Sequence, residues 1–226
     1  MKHLAVTLLL ALSSVSLTLA QFTTGQSFVS GAIDLTATSF KANQQNESSD
    51  YYGYNVFTSL GTFTKENRAV GWGFQHSLVI NRISYLDPQP RLLRNIGFGA
   101  DRFVEFYQPL ISQLSVYLRP SVGLFYSLQN QYNAQNLRLI DQQQRHALSL
   151  GANLSAGLAW RFAPKWALYG SFAFFDPISI SGELTSTKDY RSQIPDSRSR
   201  SFTYRLSPTL SSGSVNLGFR YIYDKK

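Results

Sequence analysis

The chain of 226 residues contains no Cys, so no disulfide staples it, and its length allows one or two domains. Charged residues make up 15% of it, against about 25% of an ordinary soluble domain, while aromatics reach 14%, with 13 Tyr and 16 Phe. The net charge of +8 would suit a nucleic-acid partner in a cytosolic protein, but the amino-terminal residues argue for export and so against that class.

Residues 1–20 read "MKHLAVTLLLALSSVSLTLA". A basic start at Lys2, an apolar run from Leu4 to Leu12 and a Thr18-Leu19-Ala20 ending before Gln21 make the pattern of a secretory signal peptide. Ser13, Ser14 and Ser16 cut the apolar run short of a spanning length. No Cys follows the cleavage site, which excludes a lipid-anchored lipoprotein. The folded domain is therefore expected over 21–226. No run within it reaches the roughly 18 apolar residues of a spanning helix.

Period-two alternation, the mark of a strand with two unlike faces, recurs eight times. Over 27–40 it sets Val29, Ile33, Leu35 and Ala37 against Ser30, Asp34, Thr36 and Thr38. Over 51–63 it sets Tyr52, Tyr54, Val56 and Leu60 against Asn55, Ser59 and Gly61. Over 69–84 Val70, Trp72, Phe74, Leu78 and Ile80 oppose Gly71, Gly73, Gln75, Ser77 and Asn81. Over 95–107 Ile96, Phe98, Ala100, Val104 and Phe106 oppose Gly97, Gly99, Asp101 and Glu105. Over 113–128 Leu114, Val116, Leu118, Val122 and Leu124 oppose Ser115, Tyr117, Arg119, Ser121 and Gly123. The sixth strand, 146–162, is about three times the average strand length. It carries Leu148, Leu150, Leu154, Leu158, Trp160 and Phe162 on one face, with Ser149, Gly151, Asn153, Ser155, Gly157 and Arg161 on the other. The seventh, 166–184, opposes Trp166, Leu168, Phe172 and Phe174 to Tyr169, Ser171 and Ala173. The eighth, 201–223, ends with Val215, Leu217, Phe219, Tyr221 and Tyr223 against Asn216, Gly218, Arg220 and Ile222.

The links alternate as well. Short ones fall at 64–68, 108–112 and 163–165, and longer polar ones at 41–50, 85–94, 129–144 and 185–200. An even number of antiparallel strands with short turns at one end and long loops at the other is the signature of a transmembrane barrel. A soluble sandwich built from these strands would turn Gly, Ser and Ala to water almost without Lys or Glu, which soluble surfaces do not do. Inverting the faces resolves this: the bulky face meets lipid and the small polar face fills a narrow lumen. Backbone groups in lipid lack water partners, so the sheet must close. The expected fold is all-β, an eight-stranded antiparallel up-and-down transmembrane barrel. Splitting 201–223 at "SSGS" and detaching "ISISGEL" would instead give ten strands. About 9–11 residues per strand cross a bilayer, so the excess of the last three strands is expected to project outward.

The stretches "FVEFYQPLISQLSVYLRPSVGLFYS" (103–127), "APKWALYGSFAFF" (163–175) and "VNLGFRYIY" (215–223) resemble the small outer-membrane barrel proteins common in Bacteroidota, of OmpA/OmpX-type architecture. The resemblance covers nearly the whole mature chain. It implies an eight-stranded outer-membrane barrel and little about activity. It also implies that the aromatic last strand, with Leu217, Phe219, Tyr221 and Tyr223 on one face, is the signal read by the outer-membrane barrel assembly machinery. Here Asp224, Lys225 and Lys226 follow the final aromatic residue, where the family commonly ends.

Six charges fall on the lumen register: Asp34, Asp101, Glu105, Arg119, Arg161 and Arg220. They are expected to pair, because an unpaired buried charge costs several kcal/mol. Glu105 is expected to meet Arg161, Arg220 or both near the short turns. The network reads as a structural plug rather than an ion path. Arg91, Arg94, Arg191, Arg198 and Arg200 in the long links are candidate contacts to lipopolysaccharide phosphates, which Arg binds well; the plainer reading is solvated loop charge. The Gln/Asn-rich tracts "NQQNES", "QNQYNAQN" and "DQQQ" read as flexible loop tips. His146 sits near the outer end of the sixth strand on the lipid register, but Ser149 points to the opposite face. His76 and Arg102 also fall on the lipid register, and a bulge or snorkelling towards a rim would accommodate either. No catalytic set, metal cluster or cofactor motif is present in the sequence.

The sequence thus points to a monomeric, non-catalytic integral outer-membrane barrel with a structural or envelope-interaction role. Its expected partners are outer-membrane lipid, lipopolysaccharide and the assembly machinery, without nucleic acid. A small channel and a lipid A-modifying enzyme stand as alternatives.

Overall fold

Every strand segment pairs antiparallel with its neighbours, as the alternation requires. The computed structural model describes residues 22–41, 48–84, 91–135, 138–190, 195–206, 210–211 and 216–224. The strands are β1 (Gln26–Lys41), β2 (Ser48–Lys65), β3 (Arg68–Ser84), β4 (Arg91–Ile111), β5 (Leu114–Gln135), β6 (Arg138–Ala163), β7 (Trp166–Asp189), β8 (Ser197–Leu206), β9 (Leu210–Ser211) and β10 (Asn216–Asp224). No helix occurs among the described residues.

Strands β1 to β7 pair in chain order. β8, β9 and β10 then lie in succession along β7, facing Ile178–Thr187, Phe174–Phe175 and Trp166–Ser171 respectively. They form one interrupted final strand. β10 closes the ring on β1, with Ser30 opposite Arg220. The ring therefore has eight staves although ten segments are present. "ISISGEL" stays within β7, so the ten-strand alternative is set aside.

The long links are shorter than the alternation indicates. The link placed at 129–144 is mostly ladder, with Gln129 opposite Arg145 and Gln135 opposite Arg138. Residues 129–135 and 141–144 of these tracts are therefore paired strand rather than loose tips, and 43–47 lie outside the described residues. When both faces are polar, period-two contrast vanishes while backbone pairing persists. Amide side chains add bonds of their own, as in Asn133 Nδ2 to Asp141 Oδ1 at 2.6 Å. At the other end, Gln108 and Pro109 also pair, with Val116 and Ser115, and a bulge at Pro109/Ile111 tightens the turn.

The β2–β3 turn has a defined chemistry. Asn67 sits at φ 56° beside a register shift between Phe63 and Lys65. Among non-glycine residues, Asn tolerates this left-handed conformation well.

The two faces sort as the alternation predicts. Trp72, Phe74, Phe98, Val122, Leu124, Leu150, Trp160 and Phe219 are exposed on the outside of the ring. In water that would be an apolar surface far larger than monomeric soluble proteins display. A bilayer is the solvent that satisfies it. Trp166, Tyr221 and Tyr223 cluster outward near the short turns, with centroids 5.0 Å and 6.1 Å apart in sequence. Amphipathic rings at that level suit a membrane interface.

Candidate functional site

The core of this barrel lies in the lumen at the short-turn end, and it is aromatic. Phe22, Phe28, Phe63 and Phe103 are fully buried there, with Tyr107, Tyr117 and Ile222. Phe22 stacks on Phe63 at 4.7 Å and tilts against Tyr107 at 4.6 Å. The segment before β1 is tied in by backbone bonds, Asn67 N–H to the Phe22 carbonyl at 3.3 Å and Gly25 N–H to the Phe63 carbonyl at 2.8 Å. Glycine makes room for the rings: a Cβ at Gly61 would overlap Phe28, and one at Gly71 would overlap Phe103.

Into this cluster the fold places an ion pair. Arg220 on β10 donates from Nη1 to Glu105 Oε2 at 2.9 Å and from Nη2 to Glu105 Oε1 at 3.0 Å. This is the bidentate fork that Arg forms with carboxylates. The side chains are 3% and 1% exposed. The Tyr107 hydroxyl donates to Glu105 Oε2 and accepts from Arg220 Nη1. The Arg220 guanidinium lies over the Phe28 ring at 3.9 Å, a cation–π arrangement strengthened by desolvation.

Arg119 extends the network along the lumen. Its Nη2 meets Asp101 Oδ2 at 3.1 Å, its Nη1 lies 3.7 Å from Glu105 Oε1, and its plane covers Phe103 at 3.8 Å. Four of the six sequence-predicted lumen charges thus converge: Asp101, Glu105, Arg119 and Arg220. Two stand apart. Asp34 makes no ion pair among the described residues. Arg161 lies at the rim, where it donates to the Pro164 carbonyl and sits 5.8 Å from the Phe22 ring centre. It stands two residues before the end of β6, next to the short turn.

Sequence reading did not find the aromatic part of the site. The signal was there: Phe103 and Tyr107 share parity with Asp101 and Glu105, and Phe28 shares parity with Ser30. Treating the lumen face as uniformly small and polar hid it. Small polar pairs do occur beside the plug, as Ser30 Oγ to Ser59 Oγ at 2.5 Å and Tyr117 hydroxyl to Ser171 Oγ at 2.5 Å.

On the outside, Leu217, Phe219, Tyr221 and Tyr223 all face outward from β10. At the long-loop end the ladder aligns a cross-strand row of Ile80, Arg94, Asn130, Gln144, Ser186 and Arg198. Two residues inward the row reads Leu78, Ile96, Leu128, His146, Leu184 and Arg200. The change from aliphatic to basic and amide side chains marks the edge of the apolar band. Arg94, Arg198 and Arg200 are exposed at that edge. Arg91 begins β4, and Arg191 lies outside the described residues.

His146 Nδ1 is 2.7 Å from the Tyr126 hydroxyl, while Ser149 points inward and donates to the Phe125 carbonyl at 3.2 Å. His76 and Arg102 are not displaced by bulges. His76 lies between the rings of Tyr54 and Phe98, at 5.5 Å and 4.6 Å, and Arg102 covers Trp72 at 5.2 Å. The rings shield the half-buried His76, whereas Arg102 stays exposed beside Trp72. No cluster of potential metal ligands occurs among the described residues.

No protein-family model and no curated protein matches the chain. Among solved structures, it is similar to the outer-membrane protein OprG from Pseudomonas aeruginosa, with TM-score 0.50 and 11% identity over 91% of this chain and 99% of that one. A major outer membrane protein from Thermus thermophilus is also similar, with TM-score 0.47 and 13% identity over 88% and 99%. The likeness to the first, with the closed antiparallel ring, defines the class of the fold: an outer-membrane β-barrel.

Proposed function

We propose that this protein is a non-catalytic, integral outer-membrane barrel with a sealed lumen and a structural or envelope-interaction role, exported by a cleaved signal peptide over 1–20. The observation that carries this reading is the plug. Phe22, Phe28, Phe63 and Phe103 are fully buried across the short-turn end together with the Glu105–Arg220 pair. An eight-stranded barrel has an interior just wide enough for side chains to fill, and at the short-turn end they fill it. The short-turn end is the periplasmic one in this reading. Arg94, Arg198 and Arg200 then lie at the outer-leaflet level, where they would hold lipopolysaccharide phosphates by charge-assisted bonds, together with Arg91 and Arg191. The outward face of β10 is the segment offered to the assembly machinery. Mass spectrometry of lipid A from cells with and without the protein tests the non-catalytic part: identical spectra are expected. A mass change that depends on His146 would establish the lipid-modifying alternative instead.

A further inference from the structure

Beyond the plug the lumen opens into a cavity of about 580 Å³, a size typical of small-molecule sites. One lumen-facing row of the ladder explains it. Across the strands it reads Ser30, Ser59, Gly73, Asp101, Gly123, Gly151, Ser179 and Arg205. Only an acid and a base stand among glycines and serines. A Cβ at Gly73 would overlap Asp101 and come 2.8 Å from Arg119 Nη2, so the missing side chain is what admits the charged pair to the wall.

The cavity wall carries two carboxylates and two guanidiniums: Asp101 and Arg119 at the floor, and Asp176 and Arg205 from β7 and β8. The floor pair is joined to itself, yet both members keep contact with the cavity, at 29% and 21% exposed. Asp176 and Arg205 make no ion pair among the described residues. A solute of one sign would meet a like charge on this wall. A molecule bearing both a carboxylate and an ammonium satisfies both open groups with charge-assisted bonds.

We propose that this half of the lumen is a blind binding site for a small zwitterionic solute, its carboxylate held by Arg205 and its ammonium by Asp176, above the Asp101–Arg119 floor. The solute binds and does not pass, because the plug closes the base.

The test is calorimetric titration of the refolded full-length mature protein in detergent with glycine, L-glutamine and L-phenylalanine. Each is compared with its methyl ester, which lacks the carboxylate charge, and its N-acetyl derivative, which lacks the ammonium. Saturable binding of at least one free amino acid is expected, weakened about tenfold or more in both derivatives and in Arg205→Gln and Asp176→Asn. Both residues are exposed, and heat-modifiable migration on gels checks that the variants remain folded. Absence of saturable binding for all three amino acids, equal binding of the derivatives, or undiminished binding by both variants would overturn the proposal.

Discussion

Glu105 and Arg220 lie 115 residues apart in sequence and meet through two parallel hydrogen bonds across the lumen. Truncating one partner of such a pair leaves the other charged and buried. Glu105→Gln should destabilise the barrel by roughly 3–5 kcal/mol, because Arg220 and Arg119 both lose their shared carboxylate. Glu105→Gln combined with Arg220→Gln should cost less than the sum of the singles. Unfolding by denaturant in detergent or lipid measures the cycle, and strict additivity would mean that the pair carries no coupling.

The outward face gives a second test. Leu124 is exposed and lies between Ala100 and Leu150 on the apolar side of the ladder. Leu124→Arg should cost about 2–4 kcal/mol if this level is near the bilayer midplane. Asn153 lines the cavity, and Asn153→Ser should be close to neutral. A harmless Leu124→Arg in lipid unfolding assays would invert the assignment of faces.

The β2–β3 turn gives a third. Asn67 at φ 56° should accept Gly with little change, whereas Asn67→Val should cost about 1–2 kcal/mol, the penalty of a left-handed residue with a bulky Cβ. Equal stability of the two variants would show that this conformation imposes no constraint.

The closing strand gives a fourth. Tyr221 and Phe219 pair with β1 on one side and β7 on the other. Deleting 219–226 removes most of this seam and should abolish insertion. Deleting only 224–226 removes the last β1 pairing, Gln26 with Asp224, and the Gln26 Nε2 to Asp224 Oδ1 bond at 3.3 Å, keeps Phe219 to Tyr223, and should not. Heat-modifiable migration on mild-detergent gels reads the outcome. Normal migration of the longer deletion would remove β10 from its role in assembly.

The fold was legible because lipid imposes one rule on every stave. Val29, Trp72, Phe98, Leu124 and Leu150 repeat the same contrast with their neighbours, and a single face assignment explains them all. The hairpin tip at 129–144 was not, because both faces there are polar and the contrast that marks a strand disappears. Within the site, charges showed through register, and Glu105, Arg220, Arg119 and Asp101 were named together. Which of them touch depends on strand stagger, and that set Arg161 at the rim and left Asp34 apart. The aromatic stopper was hidden because Phe28, Phe103 and Tyr107 stand on a face read as small and polar. Phe22 lies before the first strand, where period-two reading has nothing to say.

The central claim is that aromatic rings and the Glu105–Arg220 pair close the barrel at its base. Planar-bilayer recording of the mature wild-type protein beside the Glu105→Ala, Arg220→Ala double variant tests it most directly, with heat-modifiable migration confirming that both are folded. A silent wild type and stepwise openings in the variant are predicted. Stepwise openings in the wild type would contradict the account and make the barrel a channel.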